Sequence, residues 1–205
     1  MAIAAIEPTL LRKDQLRESG EVLARAFHTN PLMEYILPDE ERRRRALPWF
    51  MAAGSKYGLR FGEVHTTPGA IAGSAIWLPP GNSIASPLRM AQVGLLAAPF
   101  KMGLGGFRRF MGATNHLEHL HKRDVPQPHW YLMILGVDPL RQRQGIGSAL
   151  LQPVLAKADA AHLPCYLETD KEDDVIFYQR NGFEVVVADT IPNGPRYWTM
   201  LRPAK

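Results

Sequence analysis

A glycine-containing turn in the C-terminal half is the segment best suited to bind an anion. It reads Gln142-Arg143-Gln144-Gly145-Ile146-Gly147 and lies between an apolar run and a helix-like segment. The first amides of a helix have no partner within it, and the helix dipole favours negative charge close to side-chain-free glycines. A pyrophosphate fits the turn from Gln142 to Gly147, although the same spacing also suits a plain tight turn. A dinucleotide-binding motif would need a third glycine where Leu150 stands, and the lysine of a P-loop is absent.

A second motif follows this turn along the chain. Leu167-Glu168-Thr169 precedes Phe177-Tyr178 and then Gly182-Phe183. Together with Val137-Asp138-Pro139 and the Gln-x-x-Gly-x-Gly turn, it resembles the GNAT superfamily of N-acetyltransferases. The resemblance implies a GNAT fold, which is a mixed α/β (α+β) architecture. In that fold helices flank a central mixed sheet, and two splayed strands form a notch for acetyl-CoA. Residues from Trp130 to the C-terminus are similar to the puromycin N-acetyltransferases of this superfamily, whereas the first 129 residues match only in outline.

The resemblance also implies a reaction. An amine attacks the thioester of acetyl-CoA directly, and coenzyme A leaves as product. The expected acceptor is the amine of a small molecule, because the segment Ser86 to Lys122 favours a covered pocket. A protein or peptide acceptor and a noncatalytic coenzyme A binding module are the alternatives, and Tyr178 argues against the second. The whole chain, 1–205, is expected to form one domain, in which residues 1–129 shape the acceptor side and residues 130–205 bind acetyl-CoA.

The resemblance also assigns cofactor contacts to individual positions of this sequence. The resemblance implies contacts with acetyl-CoA from Leu135, Gly136, Val137, Gln142, Arg143, Gln144, Gly145, Ile146, Gly147, Ser148, Thr169, Asp174, Phe177 and Tyr178. Gly136 fits the bulge that separates the two strands of the notch, with a close backbone approach as the alternative. Family members often carry an asparagine shortly before the tyrosine, where Asp173 and Asp174 stand here. Those two residues can also serve as a helix cap.

Two residues are candidates for proton transfer. A departing thiolate needs a proton, and the phenol of Tyr178 can donate one; the alternative is an ordinary core tyrosine beside Phe177. The base that removes a proton from the amine is expected to be Glu168, with His129 and Glu63 as other candidates and a cap or salt bridge as its alternative role. Phe27 and Trp130 are expected to contact the acceptor.

Other clusters of functional residue types favour structural roles. His116, His119 and His121 lack the spacing of a zinc-binding helix, and aminolysis of a thioester needs no metal, so no metal site is predicted. Arg42 to Arg45 follow three acidic residues, which is typical of a helix start with arginines in solvent. No stacking aromatics accompany these arginines, which argues against a nucleic-acid partner.

Composition sets the remaining expectations. The 205 residues carry a net charge of +4, which favours an anionic partner without identifying it. No signal peptide is visible in Met1 to Leu11, and the apolar stretch Met90 to Phe107 is interrupted by polar residues and proline, so no membrane association is expected. Cys165 lies in an apolar run and reads as a buried thiol. These features favour a cytoplasmic enzyme, either a monomer or a homodimer.

The pattern of apolar residues predicts the elements that position these groups. Proline is expected to bend or break a second helix at Pro48 and to kink the helix after the turn at Pro153. Strands are expected at 6–11, 62–66, 70–78, 130–137, 165–169, 183–188 and 197–201. Helices are expected at 14–28, 40–57 and 174–181, from residue 146 to a point before Pro164, and as two or three pieces within 86–120.

Overall fold

The computed structural model describes residues 6–82 and 86–205, which form a mixed β-sheet with helices on both faces. The sheet has seven strands in the order β1-β2-β3-β4-β5-β7-β6. Their bounds are β1 Thr9–Leu10, β2 Glu63–Thr66, β3 Gly73–Leu78, β4 Trp130–Val137, β5 Cys165–Thr169, β6 Glu184–Thr190 and β7 Arg196–Arg202. Neighbouring strands are antiparallel except β4 and β5, which pair in parallel. The predicted mixed α/β architecture is confirmed. Residues 1–5, which are part of the stretch where no signal peptide was visible, lie outside the described residues.

The helices follow the predicted order with shifted ends, except that the short helix at 31–36 was not predicted. They are α1 Leu16–Ala26, α2 Pro31–Ile36, α3 Glu40–Phe61, α4 Pro87–Gln92, α5 Ala98–Asp124, α6 Ile146–Ala160 and α7 Glu172–Arg180. The segment 86–120 was expected to hold two or three helices, and it contains α4, a 3-10 turn and most of α5. Gly103 interrupts α5 with φ 73° and ψ 159°, a conformation that glycine adopts without steric cost.

Neither of the two helix prolines ends its helix. Helix α3 continues through Pro48 to Phe61, so the expected break is wrong, and α6 likewise continues through Pro153. At Pro48, α1 approaches closely: a Cβ atom on Gly20 would lie 2.7 Å from both the Pro48 carbonyl oxygen and the Ala52 Cβ atom. Tertiary packing of α1 on α3 thus offsets the hydrogen bond that proline removes.

The arginine run at the start of α3 differs from the expectation at one position. The Asp39 carboxylate accepts a hydrogen bond from the Arg42 amide at 2.7 Å and caps the helix. Arg44 pairs with glutamates on the exposed face. Arg43, by contrast, is buried and donates to the carbonyl oxygens of His28 and Leu37 at 2.8 and 2.7 Å. It therefore fixes the loop around α2 and does not lie in solvent.

Helix α7 ends as predicted and begins differently. Gly182, with φ 88°, follows the helix; its amide donates to the Gln179 carbonyl and the Phe183 amide donates to the Tyr178 carbonyl. This pair of bonds is a Schellman motif, and the Phe183 ring packs on the Tyr178 ring as such motifs favour. The predicted acidic cap is wrong, because the N-cap residue is Lys171 and Asp174 already lies within the first turn.

Candidate active site

Strands β4 and β5 separate partway along their length. They pair only at Trp130 with Cys165, Tyr131 with Tyr166 and Leu132 with Leu167, although both strands continue beyond these pairs. The last residues of β4 therefore face β5 without a continuous hydrogen-bonded ladder between them. The result is the V-shaped notch that the sequence predicts.

The bulge in β4 lies three residues before the expected position. Opposite β3, Ile76 pairs with Ile134 and Trp77 pairs with Leu132, so Met133 is the extra residue. The predicted bulge at Gly136 is wrong: this residue pairs regularly with Ser74. Its glycine is needed because a Cβ atom there would lie 2.7 Å from a Leu23 methyl carbon and 3.0 Å from the Phe27 ring. The alternative role, a close backbone approach, is correct.

The side chains of β4 before and after the bulge point to different faces of the sheet than an unbroken alternation would give. Trp130 and Leu132, before it, pack with Leu135 and Val137, after it, in the core beneath α6 and α7. Tyr131, Met133 and Ile134 instead line a cavity on the face covered by α1, α3 and α5. Met133 shifts the two-residue alternation of the side chains of β4 by one position. Large side chains of this strand therefore point to both faces of the sheet as far as the notch.

The turn between β4 and α6 presents backbone amides. Asp138 fixes its start by accepting bonds from the Arg25 guanidinium at 2.6 and 2.8 Å and from the Leu140 amide at 3.1 Å. Arg143 and Gly145 then adopt positive φ angles of 60° and 78°, and α6 begins at Ile146. Within the described residues, the amides of Gln142 to Ser148 donate no backbone hydrogen bond. An exposed nest of unpaired donors at a helix N-terminus favours an anion.

The α6 N-terminus also packs against α7. A Cβ atom on Gly147 would lie 3.1 Å from the Phe177 ring, so the glycine permits this contact between the helices. The Asn181 side chain donates to the Phe177 carbonyl at 2.9 Å and lies 3.5 Å from the Ser148 hydroxyl. Asn181 was not singled out from the sequence, because its part in this contact depends on how two helices meet. The predicted cofactor residues Leu135, Val137, Gly147 and Phe177 are thus brought to one side of the notch.

Tyr178 lies on the same side, in the core beneath α7. Its ring contacts those of Phe177 and Phe183, with centroids 5.0 and 5.8 Å apart. The hydroxyl makes no hydrogen bond to any residue in the described ranges. Burial, followed by the charges of Asp174 and Asp170, raises the pKa of Tyr178 above its usual value, so the phenol stays protonated at neutral pH.

A cavity of about 280 Å³ opens on the other side of the notch. Its wall is largely apolar and comes from distant parts of the chain, including Phe27, Phe50, Phe110, Leu117, Tyr131 and Met133. The carboxylates of Glu118, Glu168 and Asp170 also face it. Asp170 is already engaged, because its two oxygens accept bonds from the Asn30 side chain and the Leu32 amide, both at 2.6 Å. Glu118 pairs with Lys122 at 2.9 Å.

Unlike Glu118, Glu168 pairs with no cation among the described residues, and unlike Asp170 it accepts no backbone amide bond from α2. Only 10% of its side chain is exposed. The Tyr131 hydroxyl donates to its Oε2 atom at 2.8 Å, and the Nδ1 atom of His121 lies 3.9 Å from its Oε1 atom. Burial raises the pKa of Glu168 to about 8, although the bond from Tyr131 opposes the rise. A carboxylate of this kind is a suitable base near neutral pH.

The remaining candidates lie elsewhere. Glu63 forms an ion pair with Lys157 and a hydrogen bond with His65 away from the cavity, and His129 is buried behind His121. Trp130 was expected to touch the acceptor, but its side chain is buried in the core beneath α6 because it precedes the bulge. Phe27 does line the cavity. His121 and Tyr131 were not foreseen as cavity residues, although the aromatic alternation around Trp130 is a signal for Tyr131.

No group of three or more metal-binding side chains occurs in residues 6–82 and 86–205. In the same ranges, no helix is both long enough and apolar enough to cross a bilayer. The histidines of α5 point in different directions: His116 contacts the Tyr197 hydroxyl at 3.2 Å, His119 is exposed and His121 faces Glu168.

Known proteins share this architecture. Two of the solved structures that match over nearly their full length illustrate this. One, described as histone acetyltransferase HPA2 and related acetyltransferase from Corynebacterium glutamicum, has a TM-score of 0.67, 22% identity and coverage of 98% of both chains. The other, Drosophila melanogaster polyamine N-acetyltransferase, has a TM-score of 0.68, 16% identity and coverage of 97% of this chain and 99% of its own. The fold is therefore the GNAT fold.

Sequence comparisons agree with this assignment. Residues 106–185 match the family model described as acetyltransferase (GNAT) domain, a range that includes the notch, the turn and α7. An uncharacterized N-acetyltransferase of Schizosaccharomyces pombe is 25% identical over 172 residues, covering 82% of this chain and 70% of the relative. These matches support a GNAT acetyltransferase domain.

Proposed function

We propose that this protein transfers the acetyl group of acetyl-CoA to the amine of a small molecule with an apolar body. The observation that carries the proposal is the apolar cavity, which ends at Glu168 beside the open end of the β4–β5 notch. The cavity and the turn lie on opposite sides of that notch. An acceptor and a cofactor that entered from the two sides would meet within it.

The residues of the turn fit the pyrophosphate of acetyl-CoA. The unpaired amides of Gln142 to Ser148 would donate to phosphate oxygens, and the exposed Arg143 adds positive charge. The unladdered end of β4 at Leu135 and Val137 would pair with the amide groups of the pantetheine arm. We include Thr169 and Asp174, at the ends of β5 and α7 that face the notch, as contacts of the same ligand.

Two side chains would handle the protons. Glu168 would accept a proton from the acceptor ammonium group, which frees the amine lone pair to attack the thioester. Tyr178 would donate its proton to the departing thiolate of coenzyme A. Burial gives each group the proton affinity that its step requires: it strengthens the Glu168 carboxylate as a base and keeps the Tyr178 phenol protonated.

The cavity favours a compact acceptor. Its volume of about 280 Å³ is at the low end of ligand pockets, which typically measure roughly 300–1,000 Å³. Segments before and within α5 contribute Met90, Leu95 and Phe110 to the wall, so an extended peptide would lack an open groove. The fruit-fly neighbour is described as a polyamine N-acetyltransferase, which is consistent with a small amine. The similarity to puromycin N-acetyltransferases remains a prediction from residues 130–205, and puromycin is one compound to test.

We also propose that the chain acts as one domain. Residues 1–129 contribute most of the cavity wall, and residues 130–205 contribute the turn, α7 and Glu168.

A thiol-release assay with acetyl-CoA tests the activity and the acceptor class together. The panel contains 2-phenylethylamine, agmatine, spermidine, puromycin and a short peptide, and the acetylated product is identified by mass. We expect the highest kcat/KM with a small amine that has an apolar body. Release only with the peptide would favour the peptide alternative, and no release by protein that binds coenzyme A would favour a noncatalytic module.

Binding of coenzyme A is measured separately by thermal unfolding. At a hundredfold excess over its Kd, a ligand stabilises the folded protein by about 2.7 kcal/mol, and for a chain of this length Tm should rise by about 5–10 °C. Protein freed of copurified cofactor is the starting material. An unchanged Tm at millimolar coenzyme A would contradict the cofactor assignment.

A further inference from the structure

Two buried histidines behind the cavity wall form a short chain that ends at Glu168. His121 is in the last turn of α5, and His129 is in the loop before β4; their side chains are almost wholly buried. Their Nε2 atoms are 2.6 Å apart. The Nδ1 atom of His129 lies 2.7 Å from the Gln127 carbonyl oxygen, and the Nδ1 atom of His121 faces Glu168.

Hydrogen-bond donors and acceptors fix the proton positions along this chain. A carbonyl oxygen only accepts, so the Nδ1 atom of His129 must carry the proton and its Nε2 atom is unprotonated when the ring is neutral. The Nε2 atom of His121 must then be the donor between the two rings. A neutral His121 consequently presents an unprotonated Nδ1 atom to Glu168.

His121 stays neutral because its surroundings disfavour a charge. Burial and then the neighbouring His129 lower the pKa of His121 to about 3. Its ring stacks on Tyr166 at a centroid distance of 4.3 Å and contacts Tyr131 at 4.5 Å. Asp124 and Lys122 act on it from α5 with opposite signs. His121 and Glu168 are therefore not a charged ion pair at neutral pH.

We propose that His121 is a positioning residue for Glu168, and that the proton taken from the acceptor is shared between Glu168 Oε1 and His121 Nδ1. The inference rests on the proposed function. As the acceptor gives up its proton, an N–H bond of the ammonium group breaks and an O–H bond forms on Oε1. That O–H group then donates to the imidazole lone pair, while the Tyr131 hydroxyl continues to donate to Oε2.

The 3.9 Å between Oε1 and Nδ1 is too long for a direct hydrogen bond. A bridging water, or a side-chain movement of about 1 Å as the acceptor binds, would complete the contact. The arrangement holds the protonated carboxyl in one orientation. It also explains why two histidines are buried against a carboxylate that they do not neutralise.

Nuclear magnetic resonance of the full-length protein tests the shared proton without any acetyl transfer. At pH 7 the histidine ring spectrum should contain an unprotonated Nδ1 and a protonated Nε2 on His121. Raising the pH should shift the Nδ1 resonance in step with the carboxyl ¹³C resonance of Glu168. That step should disappear in Glu168→Gln. A protonated Nδ1 at pH 7, or a step that persists in Glu168→Gln, would overturn the proposal.

Kinetics with 2-phenylethylamine as the probe acceptor test the consequence. His121→Phe keeps an aromatic ring against Tyr166 and removes the lone pair, so kcat/KM for the amine should fall by about tenfold with KM for acetyl-CoA unchanged. The matched control is His119→Phe on the exposed face of the same helix, which should match the wild type. Equal kcat/KM in both variants would overturn the positioning role. Should His121→Phe not fold, the resonance experiment decides alone. If Glu168 and His121 titrate together in a protein that acetylates none of the tested amines, the proposed function is rejected and the coupling between these two side chains is retained.

Discussion

One buried carboxylate lies on each side of the notch. The pKa of one is lowered, whereas the pKa of the other is raised. Their side chains are 12% exposed for Asp138, beside the turn, and 10% exposed for Glu168, at the cavity. Burial alone would raise both pKa values. At Asp138 the bonds from Arg25 and from the Leu140 amide outweigh burial and lower the pKa. At Glu168 burial outweighs the bond from the Tyr131 hydroxyl and raises the pKa to about 8. A carboxylate with a cationic partner is thus structural, whereas one that is buried without such a partner is suited to accept a proton.

The two proposed binding regions also differ in what they are made of. The turn is exposed and consists of backbone donors, so its affinity for an anion depends on chain conformation at Arg143 and Gly145. The cavity is made of side chains from helices and strands that are far apart in the sequence. Changes to side chains should therefore affect the acceptor region strongly and the turn weakly.

Tyr178→Phe is expected to produce the largest effect, because it removes one hydroxyl group at the meeting point of the two regions. That hydroxyl has no hydrogen-bond partner among residues 6–82 and 86–205, so stability and acetyl-CoA affinity should be retained. Turnover at saturating substrates should fall by about 10² to 10⁴-fold, or about 2.7–5.4 kcal/mol. Tm, KM for acetyl-CoA and kcat are measured on one preparation. Turnover within about threefold of the wild type would contradict the acid role.

Glu168→Gln is expected to lower kcat/KM for the amine by about 10² to 10⁴-fold near neutral pH, because an amide cannot take up the proton. In the wild type, kcat/KM should fall as the pH is lowered through about 8, since the protonated carboxyl is not a base. This limb of the pH profile should be missing from the variant. If the variant keeps the limb, the titrating group is another residue or the acceptor itself.

Some of this arrangement follows from the sequence and some does not. The bounds of β4 and β5 were predicted correctly, because each is an apolar run closed by proline or polar residues. The two positive φ angles of the turn and the glycine after α7 also belong to local patterns. Local sequence is sufficient where a few consecutive residues determine the backbone.

The acceptor side depends on contacts that local patterns do not contain. The bulge at Met133 is defined by the pairing of β4 with β3, and it places Leu132 and Leu135, three residues apart, in the same core. His121 was noted only in connection with a metal, because its approach to Glu168 joins the end of α5 to β5. Pro48 is tolerated for a similar reason, the close packing of α1 on α3.

The two carboxylates also predict opposite effects of pH on stability. Glu168 has a raised pKa in the folded state, so its stabilising contribution is complete below about 4.5 and is lost as the pH rises through about 8. Glu168→Gln should therefore be more stable than the wild type above pH 8. Asp138 has a lowered pKa, so its contribution is present above about 3.8 and is lost as the pH falls. Asp138→Asn should lower the free energy of unfolding by about 1–2 kcal/mol at pH 7 and by less at pH 3.

Denaturant unfolding from pH 3 to pH 9.5 measures both differences. For each variant, the difference in free energy of unfolding from the wild type is plotted against pH, and the two plots should have opposite slopes. Parallel curves would mean that the partners of the two carboxylates do not control their proton affinities.

The smallest expected effect on the free energy of unfolding comes from replacing two helical glycines by alanine, one without close neighbours and one packed against α7. Gly112 lies on α5, where an added Cβ atom would have no neighbour within 4 Å, so Gly112→Ala should raise the free energy of unfolding by about 0.5–1 kcal/mol through helix propensity. At Gly147 the same methyl group would press on the Phe177 ring at 3.1 Å, and Gly147→Ala should show no such gain. The methyl group would face α7 and not the exposed amides, so coenzyme A affinity should change less than stability does. A gain at Gly147 equal to that at Gly112 would mean that α7 yields easily, and that the two helices do not hold the turn in place.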